Sequence, residues 1–192
     1  MSTISNSNKV MFYGPKDEYY ELSNFYNKKS QKLVIDGLTW LCVEHYFQAA
    51  KFYIPDSPQH MEYFNIIHSA DSPAKMAMLG RQKKGSRFST KWVVNKKTDQ
   101  RTVNDVIDLY KHLEMRKDWN EARIEVMKKA VSVKFQDNSK LKKVLLETGN
   151  RELVENSPRD SYWGIGKNGD GENMLGKILM EVRSKLVWRN KK

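Results

Sequence analysis

The sequence predicts a mostly α (α+β) single domain, a helical core with a few short N-terminal strands, and three observations carry that expectation. A chain of 192 residues suits one hydrophobic core, burying roughly 70% of its unfolded surface. Strand signals stop before Val43. Beyond that point apolar residues recur at helical spacing, and several of the runs are bracketed by caps and stops.

Residues 1–8 are polar and read as a flexible tail, as do 189–192 at the other end. KVMFYG, from Lys9, is a short strand. QKLVIDGLTWLCV resembles a hairpin turning at Asp36-Gly37, a dipeptide suited to a two-residue turn because both positions need positive φ. VEHYFQAAKFY reads as a helix ended before Pro55, and QHMEYFNIIHSA as a second. Ser72 as N-cap, Pro73 in the first turn and Gly80 as the stop define a short third helix.

The stretch 81–101 is basic, polar and without a period, so it reads as a loop; Thr102 to Met115 resumes helical character. Asp118, with Glu121 three residues later, opens a long helix whose core stripe is Trp119, Ala122, Val126, Ala130 and Val133. Ser139 caps another helix that stops at Gly149, and Leu175, Ile178, Leu179, Val182 and Leu186 mark a final amphipathic one. Between these two lies the loop SPRDSYWGIGKNGDGEN.

The formal charge is +11, which invites a nucleic-acid partner. That excess sits in two windows. Residues 81–101 hold eight basic side chains against Asp99 alone, and 128–143 hold six lysines against Asp137. With 39% hydrophobic residues and five Trp, the chain is not a disordered basic tail. A single cysteine, Cys42, excludes an internal disulfide and fits a reducing compartment. No apolar run reaches the roughly 18 residues of a membrane span, and MSTISNSNKV lacks a signal-peptide core. The expected location is cytoplasmic, or a host-cell cytosol or nucleus, and not secreted.

Two glycine motifs match by letter and fail by context. Gly164, Gly166 and Gly169 spell a dinucleotide fingerprint, but Ser157-Pro158 stands before them in place of a strand, and more Gly and Asp follow. Gly171, Gly176 and Lys177 mimic a P-loop, yet Ile178 replaces the hydroxyl that must hold magnesium. What survives is the expectation that a glycine-rich turn entering a helix offers free N–H groups to a phosphate. The histidines at 45, 60, 68 and 112 lack metal-ligand spacing and read as packed or surface residues, so no metal and no cofactor are expected.

On the helix after the hairpin, Glu44, Gln48 and Lys51 stand at i, i+4 and i+7. At about 100° per residue they share one stripe. An ordinary solvated ladder would look the same. Trp40, Tyr46, Phe47 and Phe52 around it argue for burial, and buried charges need partners or work to do.

LSNFYNKKS, DGLTWLCVEHYFQAAKF, SPAKMAMLGR, DWNEARIEVMKKAVSVKF, LLETGNRELVENSPRDSYWGIG and NMLGKILMEVR, in this order from Leu22 to Arg183, resemble the NADAR domain, also called the YbiA-like N-glycosidase family. The resemblance implies a mostly helical domain over 9–188. It also implies a metal-free enzyme that hydrolyses N-glycosidic bonds, either of phosphorylated ribosylamines on the riboflavin pathway or of ADP-ribosylated guanine. Carried over by residue, it implies catalytic Glu44, Lys51 and Asp160, and substrate-binding Asn24, Phe25, Trp40, Gln48, Arg81, Trp163, Gly164, Asn173 and Gly176. Four of these have a plainer alternative: core for Trp40, a helix-end cation for Arg81, a turn for Asp160 and a cap for Asn173. Compact members pass almost directly from the L-G-R block to the D-W helix, so 82–117 reads as an insertion.

Both implied substrates join ribose C1′ to an exocyclic amine. One exit passes through an oxocarbenium-like state, with Glu44 stabilising charge or activating water and Asp160 assisting. The other opens the ring to an imine, and a neutral Lys51 exchanges for the leaving amine. The leading expectation is a small phosphorylated ribosylamine. Its rivals are ADP-ribosyl-guanine in nucleic acid, met through 81–101 and 128–143, and a non-catalytic ADP-ribose or nucleic-acid binding module.

Overall fold

The computed structural model describes residues 8–28, 33–84 and 92–189; of the tails read at 1–8 and 189–192, residues 1–7 and 190–192 lie outside the described residues, as do Arg87 and Lys91 of the first basic window. Packing divides the chain into two units. One comprises the chain up to Tyr26 together with everything from Val131, and the other runs Asn27–Ala130.

In the middle unit, strands β2 (Leu33–Ile35) and β3 (Leu38–Trp40) pair antiparallel across the expected turn. Asp36 and Gly37 both take positive φ, 54° and 75°, as such a turn requires. Helices α1 (Val43–Ala50), α2 (Pro58–Ser69) and α3 (Pro73–Gly80) follow. The Ser72 side chain accepts a hydrogen bond from the Lys75 N–H, which makes it the cap of α3.

The 81–101 stretch departs from the expected loop. Its second half pairs as β4 (Val93–Asn95) and β5 (Asp99–Thr102), and Thr102 with Asp105 forms a capping box that opens α4 (Val103–Tyr110). The strands hid because both are short, β5 (DQRT) is polar, and β4 carries a register shift.

In α5 (Trp119–Gln136), Trp119 and Ala130 are buried as expected, but Ala122, Val126 and Val133 are only half-buried. Met127, Val131, Lys134 and Phe135 are buried instead, so the core stripe is rotated from the expected one. Lys134, one of the six lysines of the 128–143 basic window, is 3% exposed. Its Nζ donates to the Ser23 carbonyl at 2.8 Å and lies over the Tyr26 and Phe135 rings.

The other unit pairs β1 (Lys9–Phe12) in parallel with β6 (Glu152–Glu155), a strand without a sequence-based expectation. Helix α6 (Ser139–Glu147) is capped by Asn138, whose side chain accepts from the Leu141 N–H, so the cap lies one residue before the expected Ser139. Helix α7 (Met174–Arg189) closes the chain, burying Leu175, Ile178, Leu179, Val182 and Leu186 as its spacing implies. Among the described residues no helix is long and apolar enough to cross a membrane.

Candidate active site

Every residue of α1 is buried, so its polar side chains must find partners within the protein. The Gln48 Nε2 donates to Glu44 Oε1 at 2.7 Å. Arg81, the residue after α3, donates from Nη2 to the same oxygen at 3.1 Å. The Glu44 side chain is 8% exposed and that of Arg81 53%, so a half-solvated cation covers a buried carboxylate.

Two acceptors cannot face each other, so the Gln48 amide is fixed with nitrogen toward Glu44. Its Oε1 is thereby left buried without a hydrogen-bond partner, a cost retained at this position. That oxygen lies against Gly80, where an added Cβ would stand 2.4 Å from it. Glycine at 80 is therefore demanded by close approach to Gln48, while the positive φ after this helix falls on Gln82. The Gly80 carbonyl accepts from Lys51 Nζ at 3.4 Å.

Lys51 sits just past the last turn of α1, its ammonium 5.7 Å from the centre of the Phe47 ring. Burial pushes its pKa down from 10.5 to about 8; the charge of Glu44 opposes this and that of Arg81 adds to it. An amine so placed is part neutral near pH 8 and can act as a nucleophile. The stripe read from helical spacing is thus assembled, with Arg81 and Gly80 brought to it by α3.

Trp40, for which stacking on substrate and a core role were both open, is a core residue. It is 1% exposed, its Nε1 donates to the Ile35 carbonyl, and its ring meets His45, Tyr46, Phe64 and His68 edge-on. His45 accepts at Nδ1 from the Leu41 N–H and places Nε2 2.8 Å from the Ile67 carbonyl. Burial pushes its pKa down to about 4, so it is a neutral packing residue, donating from Nε2.

In the other unit, Asp160 Oδ1 accepts from the N–H groups of Tyr162 and Trp163 at 3.0 and 2.8 Å, folding its own turn. The Trp163 ring is half-buried and packs edge-on to Tyr162. Asn173, at φ 51°, donates to the Leu153 carbonyl and accepts from the Glu155 N–H, so it clamps the edge of β6 that β1 leaves open. Gly176 leaves no room for a side chain, since a Cβ there would stand 2.1 Å from the Leu153 carbonyl oxygen. At Gly164 it would stand 2.6 Å from the Glu155 carbonyl oxygen. Asn24 is buried, and Phe25 receives the Tyr20 hydroxyl on its carbonyl.

The expected phosphate cradle is not there. The N–H groups of Glu172, Asn173, Met174 and Leu175 donate to the carbonyls of Ser161, Gly164, Tyr162 and Trp163, so the glycine-rich turn spends its donors on itself. Sequence reasoning also missed the Gly80 carbonyl and the buried Lys134. The only available signal for Lys134 was its spacing, three residues after Val131 and seven after Met127.

The NADAR domain family model matches residues 11–187. N-glycosidase YbiA of Shigella flexneri is 33% identical over 178 residues, covering 93% of this chain and 88% of that protein. An N-glycosidase of Nostoc punctiforme is 34% identical over 177 residues, covering 92% of each. The chloroplastic riboflavin biosynthesis protein PYRR of Zea mays is 34% identical over 183 residues, 94% of this chain but 26% of that larger protein. The NMR structure of Escherichia coli YbiA superposes with a TM-score of 0.71 at 32% identity, covering 96% of this chain and 88% of that one.

Proposed function

The chain belongs to the NADAR domain family, and from that premise we propose that it is an N-glycosidase hydrolysing the bond between ribose C1′ and an exocyclic amine of a phosphorylated ribosylamine, of the kind formed early in riboflavin biosynthesis. The observation that carries this reading is the buried Glu44, bound by Gln48 and Arg81 beside a Lys51 whose amine is part neutral.

In the direct route the C1′–N bond breaks with its electron pair going to nitrogen, which takes up a proton. Water adds to C1′ and gives its proton to Glu44. In the imine route the ring opens and Lys51 Nζ adds to C1′. The substrate amine then leaves, and water releases the resulting Schiff base. Arg81 pairs with the substrate phosphate. Gln48 holds Glu44 in place. In the other unit, Asp160 and Trp163 stand on a loop braced by Gly164, Asn173 and Gly176. The compartment is cytoplasmic, consistent with a lone buried thiol at Cys42.

The nucleic-acid reading is weaker than the charge count implies, because one lysine of the second basic window is buried and three stand beside carboxylates. Lys134 is buried, and Lys128, Lys129 and Lys143 pair with Glu125, Asp36 and Glu147. Purified protein should therefore release the free amine and a sugar phosphate from the ribosylamine phosphate faster than it removes ADP-ribose from a modified guanine oligonucleotide. Faster turnover of the oligonucleotide, or equal turnover by Glu44→Ala, would overturn the proposal. Borohydride added during turnover should trap an adduct on Lys51 if the imine route operates; no adduct assigns the direct one.

A further inference from the structure

The contact between Arg81 and Glu44 is built to come apart. Among the described residues it is the one hydrogen bond the Arg81 guanidinium makes, a single N–H to an oxygen already held by Gln48 at 2.7 Å, where a full pairing would use both prongs of the fork. The cation is half exposed and the carboxylate buried, so the guanidinium can leave toward solvent while Glu44 stays. The backbone around it does not share that freedom. Gln82 adopts φ 47°, its N–H donates to the Leu79 carbonyl, and its side chain donates to the carbonyls of Tyr110 and Leu113. Movement is thus restricted to side-chain rotation of Arg81.

We propose that Arg81 is a displaceable cap on the catalytic carboxylate, and that the phosphate of the correct substrate removes it. A phosphate accepts two prongs of a guanidinium where Glu44 now takes one, so substrate phosphate wins the exchange. When Arg81 turns to it, Glu44 Oε1 keeps the Gln48 donor and regains an acceptor position for the proton of the attacking water. Phosphate recognition is then spent on chemistry as well as on binding, which is how a remote group raises kcat and not only affinity. An unphosphorylated sugar amine can reach the site and still meet a capped Glu44. Arg81 is in this sense a specificity-determining residue, and the inference rests on the proposed glycosidase reading.

The test compares the phosphorylated ribosylamine with its dephosphorylated counterpart, for wild type, Arg81→Ala and Arg81→Lys, with and without inorganic phosphate. Wild type should hydrolyse the dephosphorylated compound slowly, and added phosphate should accelerate it by about tenfold. Arg81→Ala should lose roughly 100-fold on the phosphorylated substrate and gain several-fold on the dephosphorylated one, with no response to phosphate. Arg81→Lys, a point charge without the fork, should fall between them and guards against misfolding of the alanine variant. If Arg81→Ala leaves the dephosphorylated rate unchanged or lower and phosphate does not activate wild type, Arg81 is a plain clamp and the proposal fails. That failure leaves the glycosidase reading standing, since the reading falls only if wild type turns over neither compound or Glu44→Gln is as active as wild type.

Discussion

The α1 helix that carries the stripe and the loop 157–173 both combine polar and aromatic residues, and they use them in opposite ways. In the loop the polar groups that form its turns are committed to the backbone: Asp160 to two N–H groups, Asn173 to the free edge of β6, and the helix-entry amides to loop carbonyls. On the stripe they are under-committed. Gln48 Oε1 has no partner, Lys51 holds its carbonyl at 3.4 Å, and Glu44 is covered by a cation that is half in water. A site must leave capacity for a substrate, whereas a scaffold minimises free energy by leaving none. On this difference rests the proposal that the chemistry belongs to the stripe.

The sharpest way to break this contrast is Glu44→Gln. It should lower kcat by about a thousandfold, about 4 kcal/mol in the barrier, with little change in Tm because shape and volume are kept. A large Tm loss with kcat retained would make Glu44 scaffold. Asn173→Ala should show the converse. Leaving the Leu153 carbonyl and the Glu155 N–H without partners should cost about 2–4 kcal/mol in denaturant unfolding, while the folded fraction keeps its kcat. Loss of kcat at unchanged stability would place Asn173 on the substrate.

Gly80→Ala tests the seam between the two behaviours. Its Cβ would meet both Oε1 and Cβ of Gln48, so about 1–3 kcal/mol of strain is expected, together with a kcat loss as Gln48 turns away from Glu44. Unchanged kinetics would show that Gln48 does not position Glu44.

The last test is a pH dependence. The Lys51 pKa is lower in the folded chain, about 8 against 10.5, so between these values the unfolded chain binds the extra proton. Stability contributed by this group therefore rises with pH across that window, and it is absent below about pH 8. Subtracting the unfolding curves of Lys51→Met from those of wild type between pH 7 and 10 isolates it; a flat difference would mean that Lys51 is solvated. If the imine route operates, kcat should rise with pH through about 8 as the neutral amine forms.

Sequence alone determined what is local. The Asp36-Gly37 hairpin, the two ends of α3, the buried stripe of α7 and the alignment of Glu44, Gln48 and Lys51 each depend on a few neighbouring residues and on the helical or strand repeat. Tertiary structure alone decided what depends on distant partners. Strand β6 exists as a strand because β1, more than a hundred residues earlier, supplies its hydrogen bonds. Lys134 is buried because the Ser23 carbonyl and two aromatic rings receive its ammonium. The glycine-rich turn binds its own carbonyls, and Arg81 reaches Glu44 only because α3 packs on α1. A side chain's type and spacing are written in the chain, but whether its hydrogen bonds are already spent depends on residues brought near by folding, and that separates the catalytic candidate from the scaffold here.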